Sequence, residues 1–332
     1  MLGKTLTRLA NIRKGLGLAE GEECYDEAEL VEFAMQVLFP LLWAPPKLRR
    51  RLQELRVNII PNNFYSEIPD LASIEESFAS GWDDSFDYIF DRETMWGNLE
   101  ALMPFAEEFD PPTDARRPGE YAWNNPAFTY CDAMAYYSFI RQRQPRTIVE
   151  IGCGWSTLVA DLACKKNGCG RIICIDPHPP EFMRGLDTIN TIIEKPVQSL
   201  DTVFFNQLLA DGDFLFIDST HTVKHNSDCV HLYLKILPRI AHSILVQVHD
   251  VFLPYSLPLP FLRDQHIYWT EQYLVMAYLI NNTRTEVIYG SRYHYAHSRE
   301  RLTAFMRGRF APGGASLWFS QTAAPHPTDA PR

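Results

Sequence analysis

From residue 147 onward the chain alternates short apolar runs with segments of helical periodicity, and this alternation constrains its fold more than any other feature. Apolar runs rich in Ile and Val and closed by Gly or Asp are typical of buried parallel strands. Strands that alternate with helices predict an α/β fold with a doubly wound, largely parallel sheet. The runs are TIVEIG (147–152), RIICIDP (171–177), TINTIIEKP (188–196), FLFIDST (214–220), SILVQVHD (243–250), TEVIYGS (285–291) and ASLWFSQ (315–321).

Composition and charge exclude several other classes of protein. The 332 residues are 46% hydrophobic and 22% charged, which suits a chain that builds a packed core. A net charge of −10 without a long basic run argues against binding to nucleic acid. No apolar run approaches the ~20 residues that a membrane span needs. Seven scattered cysteines without a CxxC pair favour reduced thiols and a cytoplasmic location.

Three parts are expected along the chain. Residues 1–125 are expected to form a mainly helical N-terminal extension that covers the site as a lid. Residues 126–320 carry the alternating pattern and are expected to form the sheet domain. The Pro- and Ala-rich residues 321–332 have the composition of a flexible tail.

Two helices are expected in the extension. Residues 27–43 read as a helix that ends before Pro45-Pro46. An earlier basic helix could contact a membrane surface or a partner, although docking on its own domain is the favoured interpretation. Its apolar positions at helical spacing are Leu2, Leu6, Leu9 and Ile12.

A glycine loop joins the first predicted strand to the helix that follows, with the sequence EIGCGWST (150–157). Gly152 permits a tight turn, Gly154 lets the backbone approach a ligand, and the first helical amides can bind polar ligand atoms. Thr157 stands where a dinucleotide fingerprint has its third glycine. Asp176 ends the second strand, and a carboxylate there suits a ribose diol.

The EIGCG motif, the strand-ending Asp176 and the later FIDS strand resemble the class I S-adenosylmethionine-dependent methyltransferases, over about residues 145–320. The resemblance implies a Rossmann-like seven-stranded sheet whose last two strands form a terminal antiparallel hairpin. It implies S-adenosylmethionine as the cofactor. The cofactor-binding residues that it implies are Glu150, Gly152, Cys153, Gly154, Ser156, Asp176, Gln198, Ser199 and Asp218.

The resemblance also assigns parts of the cofactor to these residues. The glycine loop would hold the methionyl part, and Asp176 the ribose hydroxyls. Gln198 and Ser199, after the third strand, would flank the adenine. Asp218 would lie beside the sulfonium and the substrate.

Histidines and aspartates gather at two strand ends. Asp218 and His221 follow the fourth strand, and His249-Asp250 end the fifth. In a parallel sheet both ends open on the carboxyl edge where ligands bind. The arrangement resembles metal-dependent O-methyltransferases of the catechol and macrolide-sugar kind, whose Mg²⁺ ligands come from these two strand ends. The resemblance implies that Asp218, His249 and Asp250 hold a divalent metal, and His221 stands where the catechol type has a basic lysine.

The candidate catalytic residues are therefore His221, His249 and Asp218. A hydroxyl that attacks a sulfonium must lose a proton, and a neutral imidazole can accept it. Those two families have oxygen ligands where this chain has His249, and imidazole suits transition metals better than Mg²⁺. Metal-free catalysis with either histidine as base stays open, as does a structural role in the loops. Asp228 could orient His221 or His225, although solvent exposure on the helix after the fourth strand is the favoured interpretation.

Two further segments are candidates for acceptor contacts. The segment EYAWNNPAF (120–128) stands where related methyltransferases often close over the cofactor, so Tyr121 and Asn125 are candidate lid residues. An aromatic packing corner is the alternative. The Pro- and aromatic-rich stretch that follows the fifth strand has the character of a substrate wall. Tyr255 and Trp269 could stack there on a ring or sugar face, or belong to a packing flap or a dimer contact.

The leading hypothesis is methyl transfer from S-adenosylmethionine to a hydroxyl of a small-molecule or saccharide acceptor, with a histidine base and metal assistance. Methylation of an amino group and a non-catalytic module that kept the fold are the alternatives. The missing third glycine and the acid Glu150 before the loop disfavour a nicotinamide dehydrogenase. No nucleic-acid or membrane partner is expected, and a homo-oligomer is left open.

Overall fold

The structure, a computed structural model, describes residues 27–81, 86–186 and 188–324. The seven predicted apolar runs form the strands of one mixed sheet. Their bounds are β1 Thr147–Ile151, β2 Arg171–Ile175, β3 Ile189–Ile193, β4 Phe214–Ile217, β5 Ile244–Val248, β6 Thr285–Gly290 and β7 Leu317–Gln321.

The strand order is β3-β2-β1-β4-β5-β7-β6. Strands β1 to β5 run parallel, whereas β7 is antiparallel to both of its neighbours, β5 and β6. The predicted fold class is therefore confirmed, including the antiparallel hairpin at the end of the chain. The chain adds β2 and β3 on one side of β1 and then places β4 on its other side, so a crevice forms at the carboxyl ends of β1 and β4.

Alternate strand residues face two separate apolar layers, as the two-residue period of a strand requires. On one face Ile148 packs in a layer with Tyr136 and Trp318. On the other face Val149 packs in a layer with Tyr233. Both layers are covered by helices, which explains why the strands read as continuous apolar runs.

The helices α1 to α12 alternate with these strands or precede them. Among the described residues their bounds are α1 Glu27–Leu38, α2 Pro46–Glu54, α3 Leu71–Ala79, α4 Arg92–Ala106, α5 Tyr130–Arg143, α6 Trp155–Asn167, α7 Thr202–Leu208, α8 Asp228–His231, α9 Leu259–Arg263, α10 Glu271–Leu279, α11 Ser291–His297 and α12 Arg299–Phe305. The predicted helix 27–43 is α1 followed by the 3₁₀ turn Phe39–Trp43. Helix α2 was not expected, because Pro45-Pro46 indicates the end of the preceding helix. A helix can also start at Pro46, since the first helical residue needs no N–H donor.

The chain divides into two compact units, Met1–Leu71 and Ala72–Arg332. In the second unit α4 packs against α5 and β6. The division at residue 125 into a lid and a sheet domain stays a prediction. The predicted helix at residues 2–12 and residues 325–332 of the predicted tail lie outside the described residues. No helix within the described ranges is long and apolar enough to cross a membrane.

Candidate active site

Gly152 closes β1 and lies directly against the end of β4. Its N–H donates to the Ile175 carbonyl (3.0 Å), and the Asp218 N–H donates to the Ile151 carbonyl (2.8 Å). Gly152 has a φ of +74°, and a Cβ built on it would overlap the carbonyl oxygen of Asp218. Only glycine fits this position, which brings the predicted cofactor loop into contact with the predicted catalytic strand end.

Glu150 lies behind the glycine loop and is fully buried. Its carboxylate accepts hydrogen bonds from the hydroxyls of Tyr136 (2.8 Å) and Thr157. The Thr157 hydroxyl in turn accepts from the Gly154 N–H (3.0 Å). Burial raises the pKa of Glu150 to about 7, although the two hydroxyl donors oppose the change. The geometry shows Glu150 supporting the loop, and direct contact with the cofactor by Glu150 or the buried Ser156 stays a prediction.

Asp176 follows β2 beside the glycine loop. One of its carboxylate oxygens accepts from the Cys153 N–H (3.1 Å) and the other from the His178 N–H (2.7 Å). The Cys153 thiol lies 3.7 Å from the same oxygen as its N–H, so the oxygen that faces His178 is the one with a further acceptor site for a ribose hydroxyl. The structure therefore places Cys153 and Asp176 together, and their contact with a cofactor stays a prediction.

Gln198 and Ser199 lie in a 3₁₀ turn after β3. The Gln198 side chain donates to the Asn226 carbonyl (3.2 Å), and the Ser199 hydroxyl donates to the Pro196 carbonyl (2.8 Å). These bonds shape the turn. Contact of Gln198 and Ser199 with an adenine stays a prediction.

Asp218, His221, His249 and Asp250 meet between the ends of β4 and β5. Nε2 of His221 lies 3.3 Å from Oδ1 of Asp218 and 3.5 Å from Oδ2 of Asp250. Nδ1 of His249 lies 3.6 Å and 3.8 Å from the same two oxygens. Two carboxylates therefore stand between two imidazoles, and we call these four residues the Asp–His cluster.

Two buried carboxylates lie behind the imidazoles, one behind each. Oε2 of Glu271 is 2.8 Å from Nδ1 of His221, and Oδ2 of Asp132 is 3.5 Å from Nε2 of His249. Neither acid was predicted, because both are remote in sequence from the strand-end motifs. The available signal was an isolated acid within an apolar helix, as in EQYLVMAYL of α10 and YCDAMAYY of α5.

The carboxylates around the cluster outnumber the imidazoles and set their protonation. Burial lowers the pKa of His221, but Asp218 and Glu271 outweigh it and raise the pKa to about 10. Burial likewise lowers the pKa of His249, which Asp250 and Asp218 raise well above its ordinary value. For Asp218, burial raises the pKa, but the two imidazoles lower it overall. The surrounding carboxylates therefore favour the protonated form of both imidazoles.

Asp218, His221 and Asp250 fit a divalent cation. One ligand atom from each lies within 4.8 Å of the other two. Nδ1 of His249 is buried without a hydrogen-bond partner among the described residues, and it lies beside the same two carboxylates. Two carboxylates and an imidazole form a donor set that transition metals favour. The predicted metal set of Asp218, His249 and Asp250 differs from this grouping only in the choice of imidazole.

Asp228 is buried, so the expectation that it faces solvent is wrong. Its carboxylate accepts from the N–H (2.8 Å) and the hydroxyl (2.7 Å) of Thr220. The reason is its position at the first turn of α8, directly below the turn that leads from β4 to His221. Asp228 thereby fixes the turn that carries His221, which has a φ of +57°.

The segment before α5 forms a packing corner. The Tyr121 hydroxyl donates to the Phe128 carbonyl (2.8 Å). The Asn125 amide donates to the same carbonyl (3.1 Å) and accepts from the Phe128 N–H (2.8 Å). The ring of Phe128 packs on that of His249, with centroids 5.0 Å apart. Acceptor contact by Tyr121 and Asn125 stays a prediction.

Of the two aromatic residues predicted after β5, Trp269 lies at the Asp–His cluster. Its ring centroid is 4.4 Å from that of His221. The Tyr255 hydroxyl is instead 3.1 Å from Nε2 of His297 on α11. Trp269 therefore forms an aromatic wall beside the cluster, whereas the structure pairs Tyr255 with another helix.

Residues 149–251 match a family model described as a methyltransferase domain. The match begins in β1 and ends just after β5, so it contains the glycine loop and the Asp–His cluster. A protein of unknown function from Archaeoglobus fulgidus is 33% identical over 160 residues, which cover 45% of this chain and 72% of that protein.

Several solved methyltransferases are similar to this chain at low identity. The O-methyltransferase TomG from Streptomyces achromogenes, involved in tomaymycin synthesis and solved with S-adenosylmethionine, is 14% identical; the match covers 76% of this chain and 96% of that one, with a TM-score of 0.33. An O-methyltransferase from Bacillus cereus, solved with S-adenosylhomocysteine, is 14% identical; the match covers 76% of this chain and 100% of that one, with a TM-score of 0.31. The family match indicates a methyltransferase domain, and the strand order indicates its fold.

Proposed function

The chain belongs to the class I S-adenosylmethionine-dependent methyltransferases, and we propose that it transfers the methyl group to a hydroxyl oxygen of a small molecule or a saccharide. The observation that carries the proposal is the Asp–His cluster. It lies at the carboxyl ends of β4 and β5 and adjoins the cofactor loop through the contact between Gly152 and Asp218.

The cofactor is proposed to lie along the carboxyl ends of β1 and β2. Gly152, Gly154 and the first amides of α6 would hold its methionyl part. Asp176 would bind the ribose hydroxyls through its carboxylate, which also accepts from two backbone N–H groups and the Cys153 thiol. This placement puts the sulfonium near Asp218, whose negative charge favours a positively charged sulfur.

Methyl transfer is an in-line displacement. The acceptor oxygen forms a bond to the methyl carbon while the carbon–sulfur bond breaks, and neutral S-adenosylhomocysteine leaves. The acceptor proton must go to a base. Neutral His249 suits this role, because its Nδ1 lacks a hydrogen-bond partner among the described residues and Asp132 lies behind its Nε2. A cation bound beside it would disfavour the protonated imidazole and so favour this neutral form. His221, on the other side of the two aspartates, is the alternative base if no cation binds.

We assign a divalent cation to Asp218, His221 and Asp250. When bound, such a cation lowers the pKa of a coordinated hydroxyl and fixes its orientation. The buried carboxylates Asp132 and Glu271 add negative charge that the two imidazoles do not balance. An excess of partly buried negative charge is costly unless a cation compensates it.

The proposed acceptor class is supported by an aromatic residue beside the cluster. Trp269 presents an aromatic wall beside His221, and such walls stack on rings and on the apolar faces of sugars. Contacts from Tyr121, Asn125 and Tyr255, and closure of residues 1–125 as a lid, are further parts of the proposal.

The test is an acceptor screen with S-adenosylmethionine that carries a ¹³C-labelled methyl group. The expected product carries the label on oxygen, as located by NMR. Asp218→Asn should lower turnover strongly because it changes the residue that adjoins the sulfonium, the cation and both imidazoles. Binding of NAD but not of S-adenosylhomocysteine would contradict the proposal.

Methylation of an amino group is the second candidate, and the excess of carboxylates at the cluster favours it. A protonated amine could occupy the place that we assign to the cation. The two functions differ in their response to a chelator. O-methylation assisted by a cation stops in EDTA, whereas an amine acceptor continues to react.

A further inference from the structure

Behind His221 lies a buried carboxylate with two defined partners. Glu271 is 1% exposed, and its two oxygens take different groups. Oε2 is 2.8 Å from Nδ1 of His221, and Oε1 accepts from the hydroxyl of Tyr233 at 2.8 Å. Tyr233 is completely buried in the π-helical turn Leu232–Ile236 that continues α8. We call Tyr233 and Glu271 the positioning pair.

Backbone hydrogen bonds also join the segment of His221 to the start of α10. The carbonyl of His221 accepts from the N–H groups of Thr270 (2.9 Å) and Glu271 (3.0 Å). His221 has a positive φ, which is costly for a residue with a side chain and persists only where its surroundings enforce it. The start of α10 therefore holds both the main chain and the ring of His221.

The position of Glu271 decides which ring nitrogen faces the cluster. When Nδ1–H of His221 donates to Glu271, the lone pair lies on Nε2, which is 3.3 Å from Asp218 and 3.5 Å from Asp250. A carboxylate that fixes the far nitrogen of an imidazole is how proteins orient metal-binding histidines.

The other imidazole is held less directly. Nε2 of His249 is 3.5 Å from Asp132, and that carboxylate already accepts from the Ser291 hydroxyl (2.6 Å) and from the N–H groups of Ala315 (2.9 Å) and Ser316 (3.0 Å). Asp132 thus holds the segment that leads into β7. Oε2 of Glu271, in contrast, has the ring of His221 as its hydrogen-bond partner. The asymmetry singles out His221 as the imidazole that is built to ligate.

We propose that Tyr233 and Glu271 are positioning residues that present Nε2 of His221 to a divalent transition cation such as Mn²⁺, in preference to Mg²⁺. The inference rests on the cation of the proposed function and adds to it the residues that orient the ligand and the class of metal. Imidazole in the ligand set raises affinity for transition metals relative to Mg²⁺, which favours oxygen ligands alone.

The test measures metal affinity in the absence of both cofactor and acceptor. Binding of Mn²⁺ is followed by the loss of the free-ion EPR signal, with Mg²⁺ as competitor. Glu271→Gln keeps the size of the side chain but removes its charge, and it should weaken Mn²⁺ binding by about 10- to 100-fold. Tyr233→Phe should weaken it less, because the carboxylate stays. Affinity for S-adenosylhomocysteine should stay within about twofold of the wild type in both variants.

The matched control is the second buried tyrosine–glutamate pair of the molecule. Glu150→Gln replaces a buried carboxyl group that also accepts a hydrogen bond from a tyrosine, but its other partner is Thr157 rather than an imidazole. It should leave the affinity for Mn²⁺ unchanged. If Glu271→Gln and Glu150→Gln behave alike, the positioning role is wrong and Glu271 only stabilises the fold.

The outcomes separate this inference from the proposed function. Selective loss of Mn²⁺ binding in Glu271→Gln supports the inference even when the methylated product is an amine. A wild-type protein that binds Mg²⁺ as tightly as Mn²⁺ overturns the metal preference. A wild-type protein that binds neither ion at millimolar concentration overturns the positioning role together with the cation.

Discussion

Two buried tyrosine–glutamate pairs support different halves of the proposed active site from opposite faces of the sheet. Tyr136 and Glu150 belong to the layer under α5 and α6, whereas Tyr233 and Glu271 belong to the layer on the other face. Glu150 accepts from the Thr157 hydroxyl, which in turn accepts from a backbone N–H of the glycine loop. Glu271 instead contacts the imidazole of His221 directly.

The same kind of buried tyrosine–glutamate pair therefore has a different partner in each half. On the proposed cofactor side the buried acid fixes the shape of a loop, so we expect recognition to depend on backbone amides and on the space that the loop leaves. On the proposed acceptor side the buried acid fixes the orientation of His221 among other carboxylates, so we expect the chemistry there to depend on charge. Changes on the two sides should therefore have separable consequences.

The largest expected effect comes from Gly152→Ala, because Gly152 lies where the glycine loop contacts the end of β4. The new Cβ would overlap the Asp218 carbonyl, and the residue would keep a positive φ. Backbone strain and overpacking together should lower the free energy of unfolding by about 4 kcal/mol. Denaturant unfolding measures the loss, and binding of S-adenosylhomocysteine should disappear with it.

Gly168→Ala is the matched control for this substitution. Gly168 also has a positive φ, +68°, but its added Cβ would meet no atom of the described residues within 4 Å. Its cost should be about 1 kcal/mol. Equal losses in the two variants would show that strain alone, and not the contact between the halves, explains Gly152.

Glu150→Gln should change how stability depends on pH. The pKa of Glu150 is raised to about 7 in the folded protein, mainly by burial. Between about pH 4.5 and 7 the folded state therefore binds a proton that the unfolded state lacks, so stability falls as the pH rises through this window. The loss should be on the order of 3 kcal/mol for the wild type and absent for the glutamine variant.

The measurement is a series of unfolding curves from pH 5 to 8 for both proteins. The difference between them isolates Glu150 from the other titrating groups. Parallel pH profiles would mean that Glu150 is ionised throughout and that the buried pair of the cofactor side differs from the one described.

His221→Ala should affect the acceptor side only. Turnover should fall by about 10²-fold, because the variant loses the imidazole between Asp218, Asp250 and Glu271. Affinity for S-adenosylhomocysteine, measured by calorimetry, should change by less than about twofold. Unchanged turnover would remove His221 from the chemistry.

Asp176→Ala is the corresponding change on the cofactor side and the smallest in this series. Loss of the carboxylate at the end of β2 should weaken S-adenosylhomocysteine about 10-fold, equivalent to ~1.4 kcal/mol. Affinity for Mn²⁺ should stay the same, since Asp176 bonds the Cys153 loop and not the cluster. A parallel loss of Mn²⁺ binding would contradict the separation of the two halves.

Local pattern sufficed to predict the sheet and the strand-end residues. The runs at 147–151, 214–217 and 244–248 are apolar, short and closed by Gly, Asp or His, so their ends and the residues just after them were predictable. The meeting of Asp218 with Asp250 followed from the parallel order alone.

Residues that act from a distance were beyond local pattern. Glu271 lies 50 positions from His221, and a lone acid in an apolar helix does not reveal which ring it will meet. Asp228 was predicted to face solvent because a helix start usually does, and the turn packed above it was not predictable. Helix α2 was missed because a proline pair marks both an end and a start.

The most direct measurement of the central claim is methyl transfer by protein stripped of metal with EDTA and then dialysed. With ¹³C-methyl S-adenosylmethionine and an acceptor from the screen, the stripped protein should form no product. Addition of Mn²⁺ should restore a product labelled on oxygen, and Glu271→Gln should need a higher Mn²⁺ concentration to reach the same rate. A stripped protein that turns over at the full rate, or a label found on nitrogen, would contradict cation-assisted O-methylation at the Asp–His cluster.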